Sequence, residues 1–209
     1  MTSMVATIFD YGAGNLHSLA KALEMDGVTV RIETDPVAAA SGDVLVLPGV
    51  GAFGAAVERL ALGRAAMRDA ILRGLPTIGI CLGMQLLFDT SDEGDGAGLG
   101  VISGRVTRLH AQRVPQIGWN DVELVSGGAA EPLFVSAPLP IAYFANSFVC
   151  RPVHEEAVTA WSTHEQDRFP SAVRTGSAVG VQFHPEKSSA DGVRFLHAFL
   201  AAARDERTK

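Results

Sequence analysis

Cys81 lies where a short apolar strand is predicted to pass directly into a helix. It is the middle residue of Gly-Ile-Cys-Leu-Gly at positions 79–83, and small residues on both sides allow the backbone to turn sharply. Such a turn lifts a nucleophile clear of the sheet, and the free N–H groups of the following helix favour its thiolate form. Many cysteines are instead buried as small hydrophobic residues, which is how we interpret Cys150. The strand–turn–helix context favours a nucleophile at Cys81.

A reactive thiolate requires a base that later acts as an acid, and His184 is the candidate for that role, with Glu186 as the group that orients it. They follow an apolar strand segment and are separated only by Pro185, which favours an extended backbone at His184. An extended backbone would direct both side chains to one side, so that the carboxylate could reach the imidazole and fix its tautomer. A chance ion pair at a strand end is the alternative interpretation. The other histidines have no comparable carboxylate partner in the sequence.

The composition excludes several other classes of function. The net charge is −6 over 209 residues with no basic cluster, which argues against nucleic-acid binding. Two cysteines are too few for a disulfide framework, and no spacing of His, Cys, Asp and Glu resembles a metal site. No signal peptide is evident at the start, and no apolar run approaches the roughly 18 residues of a membrane span. We therefore expect a cytoplasmic protein that does not contact membranes.

The order of predicted elements indicates an α/β fold. Strands are predicted at 4–9, 28–32, 43–47 and 76–80, and helices at 16–25, at 53–72 with a break near Gly63, and directly after Cys81. This alternation implies a parallel sheet with helices on both faces. The second half reads as short strands at 105–109, 121–124, 141–149, 157–162 and 178–183, followed by a helix at 191–203. We read the glycine-rich segment 91–100 as a surface loop.

These residues and several other segments resemble a known family, the class I glutamine amidotransferases, and within it the glutaminase subunits of imidazole glycerol phosphate synthase. The resemblance runs in the same order from the first strand to the last helix. The segments that carry it are D-Y-G-A-G-N-L at 10–16, L-P-G-V-G-A-F at 47–53, G-I-C-L-G-M-Q-L at 79–86, G-W-N at 118–120, Y-F-A-N-S-F at 143–148 and F-H-P-E-K-S at 183–188. It implies a single domain over 1–209 with a three-layer, flavodoxin-like α/β fold, in which antiparallel strands extend a mostly parallel central sheet.

The resemblance also implies roles for individual residues. Cys81 takes the position of the nucleophile, His184 that of the base and Glu186 that of the residue that orients the base. The donors to the oxyanion would come from Gly49, Val50 and Leu82, and glycines beside Val50 would make a peptide reorientation there sterically easy. The residues that would bind the substrate L-glutamine are Gly51, Gln85, Ser147 and Phe148. The family requires no cofactor.

A partner is implied as well, namely the (β/α)8 cyclase subunit with which the family's glutaminase forms a heterodimer. The cyclase receives ammonia through a tunnel and converts a phosphoribulosyl formimino aminoimidazole carboxamide ribonucleotide to imidazole glycerol phosphate and aminoimidazole carboxamide ribonucleotide in histidine biosynthesis. The positions expected near this interface are Asn15, Gln116, Trp119, Tyr143, Asn146 and Lys187. At Gln116 and Asn146 the family usually has histidine, so an amide that cannot titrate replaces an imidazole there.

Three alternatives remain open from the sequence. A paralogue could supply ammonia to another acceptor. A catalytically silent relative would require a broken triad, whereas the triad here is intact. A dinucleotide-binding protein is suggested by Gly49-x-Gly51-x-x-Gly54 and by the first turn, which has Glu33 and Asp35 near the expected distance. The strand after Gly54 ends at Cys81 rather than at the acidic residue that this fingerprint requires.

Overall fold

The computed structural model describes residues 3–12, 16–125 and 131–207. These described ranges contain thirteen strands. In the first half of the chain the strands alternate with helices, and in the second half they follow one another more closely. The strands are β1 (Met4–Phe9), β2 (Val28–Glu33), β3 (Val44–Leu47), β4 (Thr77–Ile80), β5 (Thr90–Ser91), β6 (Gly104–Arg108), β7 (Gln116–Asp121), β8 (Glu123–Leu124), β9 (Ile141–Asn146), β10 (Phe148–Pro152), β11 (Val158–His164), β12 (Asp167–Thr175) and β13 (Ala178–Val181).

Seven α-helices and two 3₁₀ turns complete the described part of the chain. The helices are α1 (His17–Ala22), α2 (Pro36–Ala39), α3 (Phe53–Leu60), α4 (Arg64–Leu72), α5 (Leu82–Leu86), α6 (Pro132–Ser136) and α7 (Ser189–Glu206). The 3₁₀ turns are Glu155–Ala157 and Pro185–Lys187. None of the helices in these described ranges combines the length and the apolar character needed to cross a bilayer.

The central sheet has eight strands in the order β2-β1-β3-β4-β13-β12-β11-β8. The first five are parallel, and β12, β11 and β8 extend the sheet with antiparallel pairs. Two small sheets lie beside it, one of β10, β6 and β5 and the other a two-stranded ribbon of β7 and β9. The predicted architecture, a mostly parallel sheet with added antiparallel strands, is confirmed.

Alternating side chains of the sheet feed two separate cores. In β3, Val44 and Val46 join a cluster with α1, α6 and α7, whereas Leu45 and Leu47 join a second cluster with α3, α4 and α5. This follows from the two-residue period of a strand, which directs successive side chains to opposite faces. The sheet is therefore a layer between two helical layers, as the sequence predicts.

The adjacency of β4 and β13 is the feature that builds the site. These strands run parallel with Ile80 opposite Val181, although about a hundred residues separate them in the chain. Carboxyl ends of neighbouring parallel strands meet at one edge of the sheet, where sites in open α/β folds form. The residues that directly follow the two strands are therefore brought together.

Several local predictions require correction. The predicted strand 141–149 is two strands, β9 and β10, which separate at Ser147 because each pairs in a different small sheet. The segment 91–100 is only partly a surface loop, since Ser91 pairs in β5 and Leu99 is buried in the core. The nine-residue strand β12 was not predicted, because charged residues and Pro170 interrupt its pattern.

Two short helices were also absent from the sequence-based prediction. Helix α2 has a recognisable signal, because Asp35 accepts hydrogen bonds from the N–H groups of Val37 (2.7 Å) and Ala38 (2.9 Å) and Pro36 occupies the first helical position. Asp followed by Pro is a typical start of a helix. Helix α6 begins in the same way, with Glu131 before Pro132. Both helices are too short to give a periodic apolar pattern.

Candidate active site

Cys81 occupies a strained turn between β4 and α5. Its backbone has φ 47° and ψ −103°, and a positive φ is rare for a residue with a side chain. The turn is closely packed, because a Cβ at Gly83 would collide with the carbonyl of Leu47. The Cys81 N–H donates to the carbonyl of Val181 at 2.7 Å, and its own carbonyl accepts from Gln85 N–H at 3.1 Å. The predicted strand–turn–helix arrangement is thus present, with the side chain at its apex.

The neighbouring strand β13 brings His184 to the same edge. His184 has an extended backbone (φ −104°, ψ 96°) and is 2% exposed. Its N–H donates to the carbonyl of Tyr143 in β9 at 2.8 Å, and its carbonyl accepts from the hydroxyl of Ser188 at 2.7 Å. These main-chain contacts fix the imidazole between the central sheet and the ribbon of β7 and β9.

Glu186 holds the imidazole through Nδ1, which lies 2.8 Å from the carboxylate Oε1. The contact is the one expected, but the backbone that makes it is not. We expected extended residues to direct both side chains to one side, whereas Glu186 lies in the 3₁₀ turn Pro185–Lys187. Pro185 begins that turn, and the turn folds the carboxylate back toward the ring. Both side chains are almost completely enclosed, with 2% and 8% exposed.

The surroundings of His184 favour its charged form. Burial by itself lowers the pKa of the imidazole, but hydrogen bonds to Cys81 and Glu186 and the negative charges of both outweigh burial and raise the pKa from 6.5 to about 10. An imidazolium between a thiolate and a carboxylate is the arrangement that prepares a sulfur for nucleophilic attack and holds a proton ready for the leaving group.

The raised pKa of His184 predicts a pH dependence of stability. Since the folded value lies above the unfolded one, the stabilisation is fully present below pH 6.5 and lost as the pH rises through about 10. The free energy of unfolding should fall by on the order of a few kcal/mol across that window. In urea unfolding at several pH values, the free energy of unfolding of His184→Gln should depend less on pH than that of the wild type. Equal slopes for both proteins would contradict a charged His184.

A cavity of about 310 Å³ opens at Cys81 and His184. All seven residues predicted for the oxyanion and substrate contacts line it, and so do two of the predicted interface positions. The first group is Gly49, Val50, Gly51, Leu82, Gln85, Ser147 and Phe148, and the second is Asn146 and Lys187. The structure therefore brings the sequence-predicted site residues together around one space.

Two walls of this cavity are fixed by specific contacts. The side-chain amide of Gln85 donates to the carbonyl of Phe148 at 3.2 Å, and that of Asn146 donates to the same carbonyl at 3.2 Å. On the other wall, a Cβ at Gly49 would lie 2.8 Å from Cε1 of His184 and 3.1 Å from Cβ of Cys81. The segment 48–51 can approach the two side chains this closely only with glycine at that position.

Three of the remaining interface positions, Gln116, Trp119 and Tyr143, lie on the ribbon of β7 and β9. Trp119 and Tyr143 are cross-strand partners whose rings meet edge to face at 6.2 Å. Gln116 and Asn146, where the family usually has histidine, are also cross-strand partners. Both are buried, and their amide oxygens have no hydrogen-bond partner among the described residues. The predicted interface residue Asn15 lies outside the described residues.

Sequence reasoning missed three residues at the site. Glu93 lines the cavity and accepts a hydrogen bond from the N–H of Phe53 at 3.0 Å; its glycine-rich surroundings suggested only a loop. The Tyr11 hydroxyl donates to the carbonyl of Pro48, directly before Gly49. Burial raises the pKa of Tyr11, and the charges of Cys81 and Asp10 raise it further.

The third missed residue is Gln182, whose side-chain amide lies 3.5 Å from the sulfur of Cys81. Its position directly after β13 was the available signal. Since the residue after β4 is Cys81 and the two strands are neighbours, the residue after β13 must lie close to the sulfur.

Comparison with known proteins gives a consistent result. The family described as Glutamine amidotransferase class-I matches residues 7–203. The imidazole glycerol phosphate synthase subunit HisH of Symbiobacterium thermophilum is 46% identical over 195 residues, which cover 90% of each chain. The subunit of the same name from Gloeothece citriformis (strain PCC 7424) is 39% identical over 206 residues, covering 96% of this chain and 97% of that one.

A solved structure is similar over almost the whole chain. The glutaminase domain of Trypanosoma brucei CTPS, with bound acivicin, superposes with a TM-score of 0.70 and 19% identity, covering 98% of this chain and 94% of that one. At this identity the similarity establishes the shared fold.

Proposed function

This chain belongs to the class I glutamine amidotransferases, and we propose that it is the glutaminase subunit of an imidazole glycerol phosphate synthase, acting in histidine biosynthesis. The observation that carries the proposed chemistry is that Cys81 and His184 line one cavity and that Glu186 contacts the imidazole of His184 from behind it. The substrate is L-glutamine, and the products are glutamate and ammonia. The family match covers 7–203, in keeping with one domain over 1–209.

In the proposed mechanism, the thiolate of Cys81 attacks the carbon of the glutamine side-chain amide. The carbon–nitrogen bond breaks, the nitrogen takes a proton from His184 and ammonia leaves, so that a thioester remains on the sulfur. Water then attacks the thioester carbon, and His184 takes a proton from that water. The carbon–sulfur bond breaks, and glutamate leaves. Glu186 keeps the imidazole in the orientation that both proton transfers require.

The cavity supplies groups of the right chemistry for glutamine. The N–H groups of Val50 and Leu82 are our candidates for stabilising the oxyanion that forms on the amide oxygen. Gly49 and Gly51 flank Val50, so the peptide there can reorient at low steric cost. The carboxylate of Glu93 suits the α-ammonium group of an amino acid. Gln85 lies one helical turn beyond Cys81 and donates to the carbonyl of Phe148, which follows Ser147 in the cavity lining.

An apolar surface next to the cavity fits a protein partner. The large apolar and aromatic side chains on one face of the ribbon, which we term the ribbon face, are the exposed Ile117, Trp119 and Ile141 and the half-buried Tyr143. Ile117 is 67% exposed and Trp119 is 56% exposed. Large exposed aromatic and aliphatic side chains are typical anchors of protein interfaces. The register of β7 and β9 places Ala145 beside Ile117, and Ala145 also lines the cavity. The ribbon face is therefore continuous with the site.

We assign this surface to the cyclase subunit, which the family's glutaminase joins as a heterodimer with a (β/α)8 barrel. Strand β9 connects the surface to the chemistry, because the carbonyl of Tyr143 accepts from His184 N–H and the Tyr143 N–H donates to Ser188. A partner that shifts β9 would therefore shift His184. The cytoplasm, where free thiols stay reduced, is the compartment that suits Cys81 and Cys150.

Partner binding should increase the glutaminase rate, and Trp119→Ala should weaken that binding. Loss of a central aromatic anchor typically costs about 2 kcal/mol or more, which is roughly a thirtyfold higher Kd. Glutamate release should be measured with and without the cognate cyclase and its nucleotide ligand. Leu62→Ala is the matched control, since Leu62 is 99% exposed but lies between α3 and α4. Equal turnover with and without the cyclase would contradict the proposed coupling.

A further inference from the structure

Gln182 is placed beside the nucleophile by the geometry of the central sheet. Strands β4 and β13 are parallel neighbours with Ile80 opposite Val181, so Cys81 and Gln182 continue the same register. The main chain joins them as well, because Cys81 N–H donates to the carbonyl of Val181 at 2.7 Å. The side chain of Gln182 is completely buried. Its position relative to the sulfur is therefore set by the pairing of β4 with β13 in the central sheet.

The contacts of the Gln182 amide point to the sulfur. Its Nε2 donates to Sγ of Cys81 at 3.5 Å, a normal length for a hydrogen bond to sulfur. Its Oε1 is buried and has no hydrogen-bond partner among the described residues. A buried amide with an unsatisfied oxygen destabilises a fold, and an apolar side chain of the same shape would avoid that cost. The interaction that the amide does make is with the nucleophile.

A hydrogen-bond donor beside the sulfur stabilises the thiolate form of Cys81 more than the thiol form. A thiolate is a much better acceptor than a thiol, so the donor stabilises the charged form. The amide does not titrate near neutral pH, so the donor is present at every pH at which the enzyme works. His184 is different, because it must give up its proton to the leaving nitrogen. During that step the amide of Gln182 keeps its own hydrogens.

We propose that Gln182 is a positioning residue that directs the sulfur of Cys81 and stabilises it as a thiolate. The inference rests on the proposed function of Cys81 as the nucleophile. The hydrogen bond from Gln182 acts at two points of the reaction. The first is before attack, and the second is when the carbon–sulfur bond of the thioester breaks and the sulfur takes the electron pair. Loss of the donor should therefore lower kcat more than it raises KM.

The test uses two variants of the full chain. Gln182→Met keeps the size of the side chain but removes the donor, and Gln182→Asn keeps a buried amide that is one methylene too short to reach the sulfur. The readout is the rate at which iodoacetamide alkylates Cys81 across a range of pH, followed by mass spectrometry of the Cys81 peptide. Ser171→Ala is the control. Ser171 is buried and is the cross-strand neighbour of Gln182, and its hydroxyl has no hydrogen-bond partner in the described chain.

Both Gln182 variants should show an alkylation profile displaced by about one unit to higher pH, so that alkylation is about tenfold slower on the rising, acidic part of the profile. Ser171→Ala should keep the wild-type profile. Variants that lose thermal stability but keep the wild-type alkylation profile would overturn the inference and leave Gln182 with a structural role only. If Cys81 of the wild-type protein were not alkylated at all, and the protein released no glutamate from glutamine, the proposed function would fail instead.

Discussion

Cys81→Ala is expected to reduce glutamine hydrolysis by on the order of 10⁶-fold, the loss typical of removing the nucleophile of a catalytic triad. No thioester can form without the sulfur, and what remains is the slow attack of water on the bound amide. The complex of this variant with the cyclase should still make product from added ammonium salts, because the cyclase reaction does not require the thiol. Glutamate release and ammonium-dependent synthesis should both be measured.

The second cysteine provides the control for this experiment. Cys150 is buried in β10, and burial raises the pKa of its thiol, with the charge of Cys81 adding to the effect. A thiol of that kind is unreactive, so Cys150→Ala should keep glutaminase activity close to that of the wild type. Unchanged turnover in Cys81→Ala, or a similar loss in both variants, would show that Cys81 is not the nucleophile.

Glu186→Gln is expected to lower kcat by roughly 10⁴-fold, the scale seen when the carboxylate of a triad becomes an amide. The amide has nearly the same shape, but it removes the negative charge that holds the imidazolium and helps raise the pKa of His184. It can also donate to the ring and select the wrong tautomer. Steady-state kinetics across a range of pH should show the fall in kcat.

Glu131→Gln is the matched control for Glu186→Gln. Glu131 is another buried carboxylate, which accepts hydrogen bonds from Arg174 at 2.9 Å and 2.8 Å, and it does not line the cavity at Cys81. Its replacement should lower stability and leave kcat nearly unchanged. If Glu186→Gln retained wild-type kcat, the contact at 2.8 Å would be structural and the orienting role would have to be abandoned.

The sequence predicts each half of the site well but not the contact between them. The turn at Cys81 follows from local residue types, and the nearness of His184 and Glu186 follows from their separation. That β13 lies beside β4 is a long-range fact, because many strand orders are compatible with the same local pattern. The family resemblance supplied the link between Cys81 and His184. Membership of the family, though not the role of any residue, is confirmed by the family match over residues 7–203 and by relatives that cover most of the chain.

The residues that were missed share a physical reason. Glu93 lies in a glycine-rich segment whose local pattern indicates only a loop, and its contribution depends on packing against α3. Gln182 is a polar residue at a strand end, where exposure is the usual expectation, and it is buried only because β4 and β12 flank it. The sequence-based prediction did not include the 3₁₀ turn at Glu186. It used only the restriction that Pro185 places on His184, whereas a proline can also occupy the first position of a helical turn.

The dinucleotide alternative can be weighed against the same geometry. The segment Gly49-x-Gly51-x-x-Gly54 does connect β3 to α3, as such a fingerprint requires. Gly49, however, lies so close to His184 and Cys81 that a Cβ would not fit. The close approach of Gly49 to His184 and Cys81 therefore explains why a glycine stands at this position. Membership of the amidotransferase family favours the same explanation.

Covalent labelling by a glutamine analogue tests the central claim most directly. An analogue with an electrophilic carbon in place of the side-chain amide should form one adduct per chain, which mass spectrometry should locate on Cys81. His184→Gln should slow its formation, excess L-glutamine should compete, and Cys150 should stay unmodified. An adduct on Cys150 alone, or none at all while the cyclase and its ligand are present, would contradict a reactive sulfur at Cys81.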